Sequence, residues 1–482
     1  MIASDYHALT KYDRQRVLAS PGLDWSKAPA QFKDVVGSHR VELRSFGKTP
    51  NTEDIRSVLA RFLYFANGIT GHLRHPGGEQ LLRAAPSAGA LYPTELYVAV
   101  GEGDGMDAGL YAYDARDEVL TRLWEEDPRP LLGRACGEEE IFTRARACLL
   151  LTGIFWRSAW RYQERGYRRV LLDAGHVLAN LASIAPFDEL SGLPHLGFVD
   201  DEINGSFFFE PDREAALAAI PLRSLEETLR PPTLWTSGDA RRGDIDPEGA
   251  GLVPDADELT GSATALLHRA SSCAAAAPAQ PPIGRTPIDA GAIRIGIEPP
   301  AIEIELPRAI ARRRSARAYP GQPVPFEDLK RALAFTFPTF VPHETWDAGL
   351  LRAHLVVHRV DGLDPGLYSM QGDGDALLPE KFGDFTRPFR EAVLGQEIAE
   401  TCACILAFTA PARRALETYG DRAYRYLHLE AGSYGQRFQL AATDLGHQGC
   451  GIAGFLDDET AALLDVPSED WVLYLVTFGA SD

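Results

Sequence analysis

The sequence predicts an α+β fold present twice in one chain, with the two copies packed together as an intrachain pseudo-dimer. Three observations carry this. The run YQERGYRRVLLDAGHVLANL from Tyr162 recurs as YGDRAYRYLHLEAGSYGQRF from Tyr419, and GLPHLGFVDDE from Gly192 recurs as GCGIAGFLDDE from Gly449, both at an offset of 257 residues. Around each copy, short apolar runs typical of buried strands stand beside segments with helical apolar periodicity. Between the copies, residues 231–300 turn Pro- and Ala-rich, as in SSCAAAAPAQPPIGRTP, which suits a linker. Two copies are too few for a solenoid. A pair can do within one chain what a twofold dimer does with two.

In chain order, residues 1–40 are polar, broken at Pro21-Gly22 and Pro29, and read as a helical arm with a connecting segment. Residues 52–70 read as an amphipathic helix with Thr52 as its N-cap and Asn67-Gly68 as its stop. A small-residue loop at Pro86–Gly89 precedes a strand at 95–100, and Gly109–Asp114 is the next strand. A helix over 129–143, a central strand from Ala147 to Phe155 and a long helix over 162–185 follow. A short helix is expected near 256–270 inside the linker. The resulting division is a first domain at 1–230, a linker at 231–300 and a second domain at 301–482.

Hydrophobic residues make up 45% of the 482, a globular composition, and the net charge is −20. Such an acidic chain is unsuited to nucleic-acid backbones or anionic membrane surfaces as its main partner. No apolar run reaches membrane-spanning length, and Met1–Asp5 lacks a signal-peptide pattern, so a cytoplasmic location is expected. The six cysteines do not cluster in a disulfide framework, and Cys402 and Cys404, in an apolar run, read as buried thiols. No metal-ligand spacing, nucleophile elbow or phosphate-binding P-loop occurs.

Three stretches hold candidate chemistry. Pro86-Ser87-Ala88-Gly89 feeds an apolar strand; it is either an ordinary turn or a loop that presses its backbone against a flat ligand. Arg312-Arg313-Arg314-Ser315-Ala316-Arg317 places four guanidiniums in six residues of an acidic chain, either a solvated basic turn or a clamp for phosphate or carboxylate. Gly449–Phe455 is a glycine-rich loop that allows close backbone approach, and it also suits a helix-to-strand turn.

Taken together, PSAGALYP and its following strand resemble the flavin-binding loop of the nitroreductase superfamily. Within it they resemble the branch related to azoline (thiazoline/oxazoline) dehydrogenases, the SagB/ThcOx-type proteins. His7-Ala8-Leu9-Thr10-Lys11, Leu23-Asp24-Trp25 and Phe32-Lys33 are similar to that branch too. The resemblance covers residues 5–210 and 305–480. It implies, for each copy, an antiparallel-dominated sheet wrapped by helices. It also implies FMN as cofactor, with hydride passing to or from flavin N5. By the same resemblance Arg313, Arg314, Ser315 and Arg317 hold the phosphate and the polar edge of the ring, and Gly451, Ile452, Ala453 and Gly454 run beside the ring.

Each copy lacks half of that set. The first has the Pro86, Ser87, Ala88, Gly89 loop without the arginine run; the second has the arginine run and, near His343–Gly349, no such loop. In nitroreductase dimers one flavin draws on both subunits, so the expectation is one FMN per chain at the interface of the two domains. Arg161-Tyr162 stands where the azoline dehydrogenases carry Lys-Tyr, which makes Tyr162 and Arg161 the candidate catalytic pair. An arginine cannot release its proton, and Tyr162 would need its pKa lowered by Arg161 and Arg165. Asp173, His176 and Asn180 share one helix face.

The expected function is an FMN-dependent oxidoreductase acting on a small-molecule or peptide substrate, with NAD(P)H as a donor to be tested. The alternatives are an azoline dehydrogenase acting on a modified peptide and a degenerate flavin-binding scaffold. Further homodimerisation is left open.

Overall fold

The computed structural model describes all residues except 20–21, 48–51, 76–77, 104, 227–231, 238–260, 281–286, 296–303, 338–347 and 482. Seven strands, β1 (His39–Glu42), β2 (Thr94–Val100), β3 (Gly109–Asp114), β4 (Val119–Trp124), β5 (Ala147–Ile154), β6 (Leu190–Ser191) and β7 (Glu214–Ser224), form one sheet in the order β1-β4-β3-β2-β5-β7-β6. Seven more, β8 (Ile293–Arg294), β9 (Arg352–Val357), β10 (Gly366–Gln371), β11 (Ala376–Phe382), β12 (Cys404–Ala410), β13 (His447–Ile452) and β14 (Trp471–Ala480), form a second in the order β8-β11-β10-β9-β12-β14-β13. Strand for strand the order is the same, and every pairing in both is antiparallel. The expected α+β duplication is therefore present. Strands β5 and β12 are buried almost throughout. This is why they read as unbroken apolar runs rather than as alternating ones.

Helices α1 (Ile2–Leu9), α2 (Ile55–Asn67), α3 (Phe155–Tyr162) and α4 (Gly166–Ile184) precede α5 (Ala263–Ala270), α6 (Leu306–Arg312), α7 (Phe326–Thr336), α8 (Ala412–Tyr419) and α9 (Ala423–Asp444). Three expectations need correction. The N-cap of α2 is Asp54, whose carboxylate accepts the Arg56 N–H, and not Thr52. The helix read over 129–143 is two short ones, Arg129–Ala135 and Glu139–Arg144, parted by Gly137 at φ +69°. The helix read over 162–185 is split by Gln163 at φ +50°. Arg161 and Tyr162 thus close α3 instead of opening the long helix α4. The segment Phe155–Asp188 passes for a membrane span by length and composition, but 89% of its apolar window is buried in the protein.

Helices α4 and α9 cross at the centre of the molecule. Gly175 and Gly432 meet there, each at the position equivalent to the other, and leave no room for a side chain. A Cβ on Gly175 would run into the Leu429 carbonyl and sit 2.9 Å from Ser433 N. Beside the crossing, two buried ion clusters repeat. Asp457 accepts from Arg165 Nη1 at 2.6 Å, Arg168 Nη1 at 2.7 Å and the Tyr12 N–H at 2.8 Å. Asp200 accepts from Arg422 and Arg425 Nη1, both at 2.6 Å, and from the Cys273 N–H at 2.9 Å. Each carboxylate lies in one half and its arginines in the other, so the clusters pin the halves together.

The match of Tyr12 with Cys273 extends the repeat. The N–H of Ala3 in α1 donates to Asp421, while those of Ala263 and Thr264 in α5 donate to Glu164, the residue equivalent to Asp421. Nδ1 of His7 meets the Tyr424 hydroxyl at 3.2 Å, and Nδ1 of His268 meets that of Tyr167 at 3.0 Å. Helix α5 therefore repeats α1 within the stretch read as linker, where a short helix was expected.

Candidate functional site

A cleft of about 370 Å³ opens between the halves, within the ~300–1,000 Å³ usual for cofactor sites. The first half supplies Tyr12, Pro86 to Gly89, Tyr162, and Arg169, Leu172, Asp173 and His176 from α4. The second supplies Ser315, Arg317, Leu394, Gln396, Cys450 to Gly454, and Tyr474 from β14. Residues Pro86, Ser87, Ala88, Gly89, Tyr162, Ser315, Arg317, Gly451, Ile452, Ala453 and Gly454 from the sequence reading thus share one cavity. The Ser315 segment is brought there by pairing beside Gly449, with the Ala316 N–H on the Gly449 carbonyl at 3.1 Å.

Arg161, Arg313 and Arg314 are not among the lining residues. Arg313 caps the end of α6 and is buried, its Nε donating to the Ala84 carbonyl at 3.1 Å. Arg314 turns to the Thr70 carbonyl and hydroxyl and to the Ala311 carbonyl. Both hold the first half's hairpin (Ile69–His75 with Gly78–Arg83) and its exit against the second half. Arg161 is exposed at the rim beside Gly89. Gly89 has φ +65°, and a Cβ there would come within 2.7 Å of the Tyr162 hydroxyl, so this position admits the close approach of loop and phenol.

The loop is fastened to α4. The Ser87 hydroxyl donates to Asp173 Oδ2 at 2.6 Å and accepts the Tyr92 N–H at 2.9 Å, and the Ala88 N–H donates to Asp173 Oδ1 at 3.3 Å. Burial pushes the Asp173 carboxyl up to about 7, against the lowering effect of Ser87 and Ala88. Because the folded value lies above the ordinary one, this group stabilises the fold fully below its ordinary value of 3.8 and ceases to as pH rises through about 7. The Asp173→Asn variant is therefore expected to gain on the natural chain as pH rises from 5 to 8, by roughly 2–4 °C in relative melting temperature. Parallel melting curves would exclude the effect.

Further along the helix, His176 Nε2 meets the Tyr474 hydroxyl at 3.0 Å. Burial, with Arg313 adding to it, holds His176 down to about 3, so the ring is neutral. Its Nδ1 is buried and has no hydrogen-bond partner among the described residues. One expectation about Tyr162 fails: its pKa lies above the ordinary value, because burial outweighs Arg169 and Arg161. Arg165 is directed instead to Asp457. The cleft phenol held below its ordinary value is Tyr12, where Arg169 and Arg165 overcome burial.

Sequence reasoning did not single out Tyr12, Arg169, Leu394, Gln396 or Tyr474. The available signal was for Arg169: the repeat has Tyr426 at the equivalent place. That tyrosine also shows what became of the second cleft. Its hydroxyl accepts the Trp235 N–H and donates to the Trp235 carbonyl, both at 3.0 Å. The Trp235 indole is buried and lies 2.7 Å from where a Cβ on Gly197, the equivalent of Gly454, would stand. Among the described residues, Trp235 thus occupies part of the mirror position. Of the His343–Gly349 stretch, residues 343–347 lie outside the described residues; the Ala348 N–H donates to Glu430 at 3.3 Å, as Ala88 does to Asp173.

The nitroreductase family profile matches residues 40–194 and 310–480. The protein named "Putative nitroreductase MJ1384" of Methanocaldococcus jannaschii is 30% identical over 173 residues, which cover 36% of this chain and 82% of that protein. The trifolitoxin-processing protein TfxB of Rhizobium leguminosarum bv. trifolii is 32% identical over 150 residues, 30% of this chain and 40% of TfxB. The crystal structure of a "putative nitroreductase" from Anabaena variabilis superposes with a TM-score of 0.89 at 31% identity, covering 100% of this chain and 99% of that one. The chain belongs to the nitroreductase family as two tandem nitroreductase-like units, and its likeness to TfxB accords with the SagB-type motifs.

Proposed function

We propose that the chain is an FMN-dependent oxidoreductase that holds one FMN in the cleft between its halves. The observation that carries this is the shared cavity itself: the Pro86–Gly89 loop from one half faces Ser315, Arg317 and Gly451–Gly454 from the other. The donor set fits the cofactor. Arg317 is an exposed cation at the cleft wall, and Ser315 adds a hydroxyl. Buried Arg313 stands behind them, its Nη1 3.5 Å from the Ser315 hydroxyl. Gly454 has only Leu394 and Arg169 near a built Cβ, at 3.7 and 3.8 Å, which leaves room for a flat ring, while Gly451 makes room for the Tyr474 phenol. Bound flavin would supply two-electron, hydride-type chemistry. The protein's residues bind it, shield it and manage protons, with Asp173, titrating near 7, and Tyr12 as the groups placed to do so.

Trp235, lying against Gly197 in the mirror position, supports a single flavin. Denaturing release is expected to yield FMN at one per chain. The double variant Ser315→Ala/Arg317→Ala is expected to bind it about 10–100-fold more weakly, through the loss of two charge-assisted or hydroxyl contacts. Colourless natural protein, or two flavins per chain, overturns the reading.

The likeness to TfxB favours a second reading, dehydrogenation of an azoline ring in a modified peptide. Incubation of the oxidised holoprotein with a thiazoline peptide under oxygen tests it; loss of two hydrogens by mass supports it. Turnover of NAD(P)H with small acceptors alone supports the first.

A further inference from the structure

Arg165, at the N-cap of helix α4, and Arg168 and Arg169 in its first turn lie close together, and their fates differ. Arg165 and Arg168 end on Asp457. Arg169, only 4% exposed, has no carboxylate within 4 Å among the described residues. Its hydrogen bonds are long ones, 3.4 Å to the Arg165 carbonyl and 3.5 Å to the Tyr12 hydroxyl. The guanidinium carbon lies 3.8 Å from the centre of the Tyr162 ring and 5.8 Å from that of Tyr12. Nη2 reaches to 3.8 Å from where a Cβ on Gly454 would stand, so the charge sits at the glycine-loop end of the cleft. The Asp173 carboxylate, one turn further along α4, feels this charge without pairing with it, and a buried cation without a paired anion is costly unless one comes to it.

The surroundings favour an anionic guest. Asp173 is the sole carboxylate among the lining residues, and Ser87 and Ala88 already engage it. Arg161 adds a second cation at the rim, exposed and 5.7 Å from the Tyr162 ring centre. In the mirror position, where the backbone of Trp235 bonds it, the equivalent residue is the uncharged Tyr426. The cation is present in the described cleft, and a tyrosine stands at the equivalent place in the other copy.

We propose that Arg169, assisted by Arg161, binds a carboxylate carried by the substrate, with the Tyr12 and Tyr162 rings flanking a flat organic body. The guanidinium fork matches a carboxylate with two parallel bonds. The inference rests on the flavin reading, because the cofactor must occupy the Ser315–Arg317 end and leave Arg169 to the substrate.

Benzoate and its neutral counterpart benzamide are suitable probes. Flavin content of the natural protein is measured first; its absence overturns the functional reading and, with it, this proposal. Flavin-loaded protein is then titrated with each probe by calorimetry and by the visible flavin spectrum. Benzoate is expected to bind about tenfold or more tightly than benzamide, the worth of a charge-assisted pair. Arg169→Gln is expected to erase that preference with flavin content unchanged, and Arg169→Lys to restore part of it. Arg161→Gln, at an exposed position where folding is not at stake, is expected to weaken benzoate severalfold. Equal binding of the two probes by the natural protein overturns the proposal. So does an Arg169→Gln protein that keeps the preference, or one that purifies without flavin and thereby shows the guanidinium to be a cofactor ligand.

Discussion

Replacing Asp457 by alanine is expected to cost about 3–5 kcal/mol, because it strands two buried guanidiniums, Arg165 and Arg168, at once. Burial alone would raise the Asp457 carboxyl, yet the two arginines hold it below its ordinary value, so the charged form is the one the fold uses. The neighbouring Asp458 is a control. It pairs with Lys11 at 2.6 Å but is 73% exposed, and Asp458→Ala is expected to fall within about 1 kcal/mol of the natural chain. The denaturant midpoint at constant slope is the measurement; similar midpoints for the two variants would refute the assignment. The effect reaches the cleft as well. Arg165 also bonds the Ala453 and Phe455 carbonyls, at 3.4 and 3.5 Å, and Asp457 fixes the backbone of Tyr12. On the FMN reading proposed above, loss of flavin from Asp457→Ala is therefore expected to precede global unfolding in a denaturant series.

What the sequence made legible follows from where the two copies stayed alike. The 257-residue offset survives in Arg165/Arg422, Arg168/Arg425, Gly175/Gly432 and Asp200/Asp457 because each pair meets its partners across the pseudo-twofold crossing, and any change at one must be met at the other. The apolar strands β5 and β12 were equally plain, since burial on both faces leaves nothing polar to break the run. The loops at 86–89 and 451–454 and the Ser315–Arg317 segment were placed in one cavity because duplication geometry is that of a dimer.

Other features left no mark. The likeness of α5 to α1 is carried by backbone N–H groups, by one histidine in each, His7 and His268, and by single hydroxyls, Thr10 on Arg168 and Ser271 on Arg425, set in an Ala-rich stretch and too sparse to read as a repeat. The capture of Arg314 by Thr70 depends on where a hairpin folds over, and the arrival of Tyr12 and Tyr474 in the cleft depends on chain segments hundreds of residues apart. Neither is a matter of local pattern. The placing of Trp235 in the mirror position is of the same kind: a lone aromatic after a Pro-Pro pair says nothing of the glycine it will cover.

Gly175→Ala is expected to destabilise the protein by about 1–3 kcal/mol or more, although alanine raises helix propensity by about 1 kcal/mol. The obstacle is backbone on both sides: the Leu429 carbonyl, Ser433 N and the Gly432 Cα, the last two at 2.9 and 3.0 Å from the new Cβ. No flexible side chain stands there to yield, so α4 and α9 must move apart. Gly205 isolates the propensity term. It lies in the helix Asp200–Ser206 with nothing within 4 Å of a built Cβ, and Gly205→Ala is expected to be neutral or stabilising by up to about 1 kcal/mol. Opposite signs for two Gly→Ala changes, both in helices, would locate the constraint at the crossing. The same displacement has a functional reading. Asp173 and His176 ride on α4 within three residues of Gly175, and their partners across the cleft, Tyr474 and the Gly451 loop, belong to the half anchored by α9. Separating the helices widens the cleft from its floor, so, on the FMN reading proposed above, Gly175→Ala is expected to release FMN under conditions where Gly205→Ala retains it. A Gly175→Ala protein as stable and as fully loaded as the natural chain would mean that the crossing is looser than its geometry and that the cleft does not depend on it.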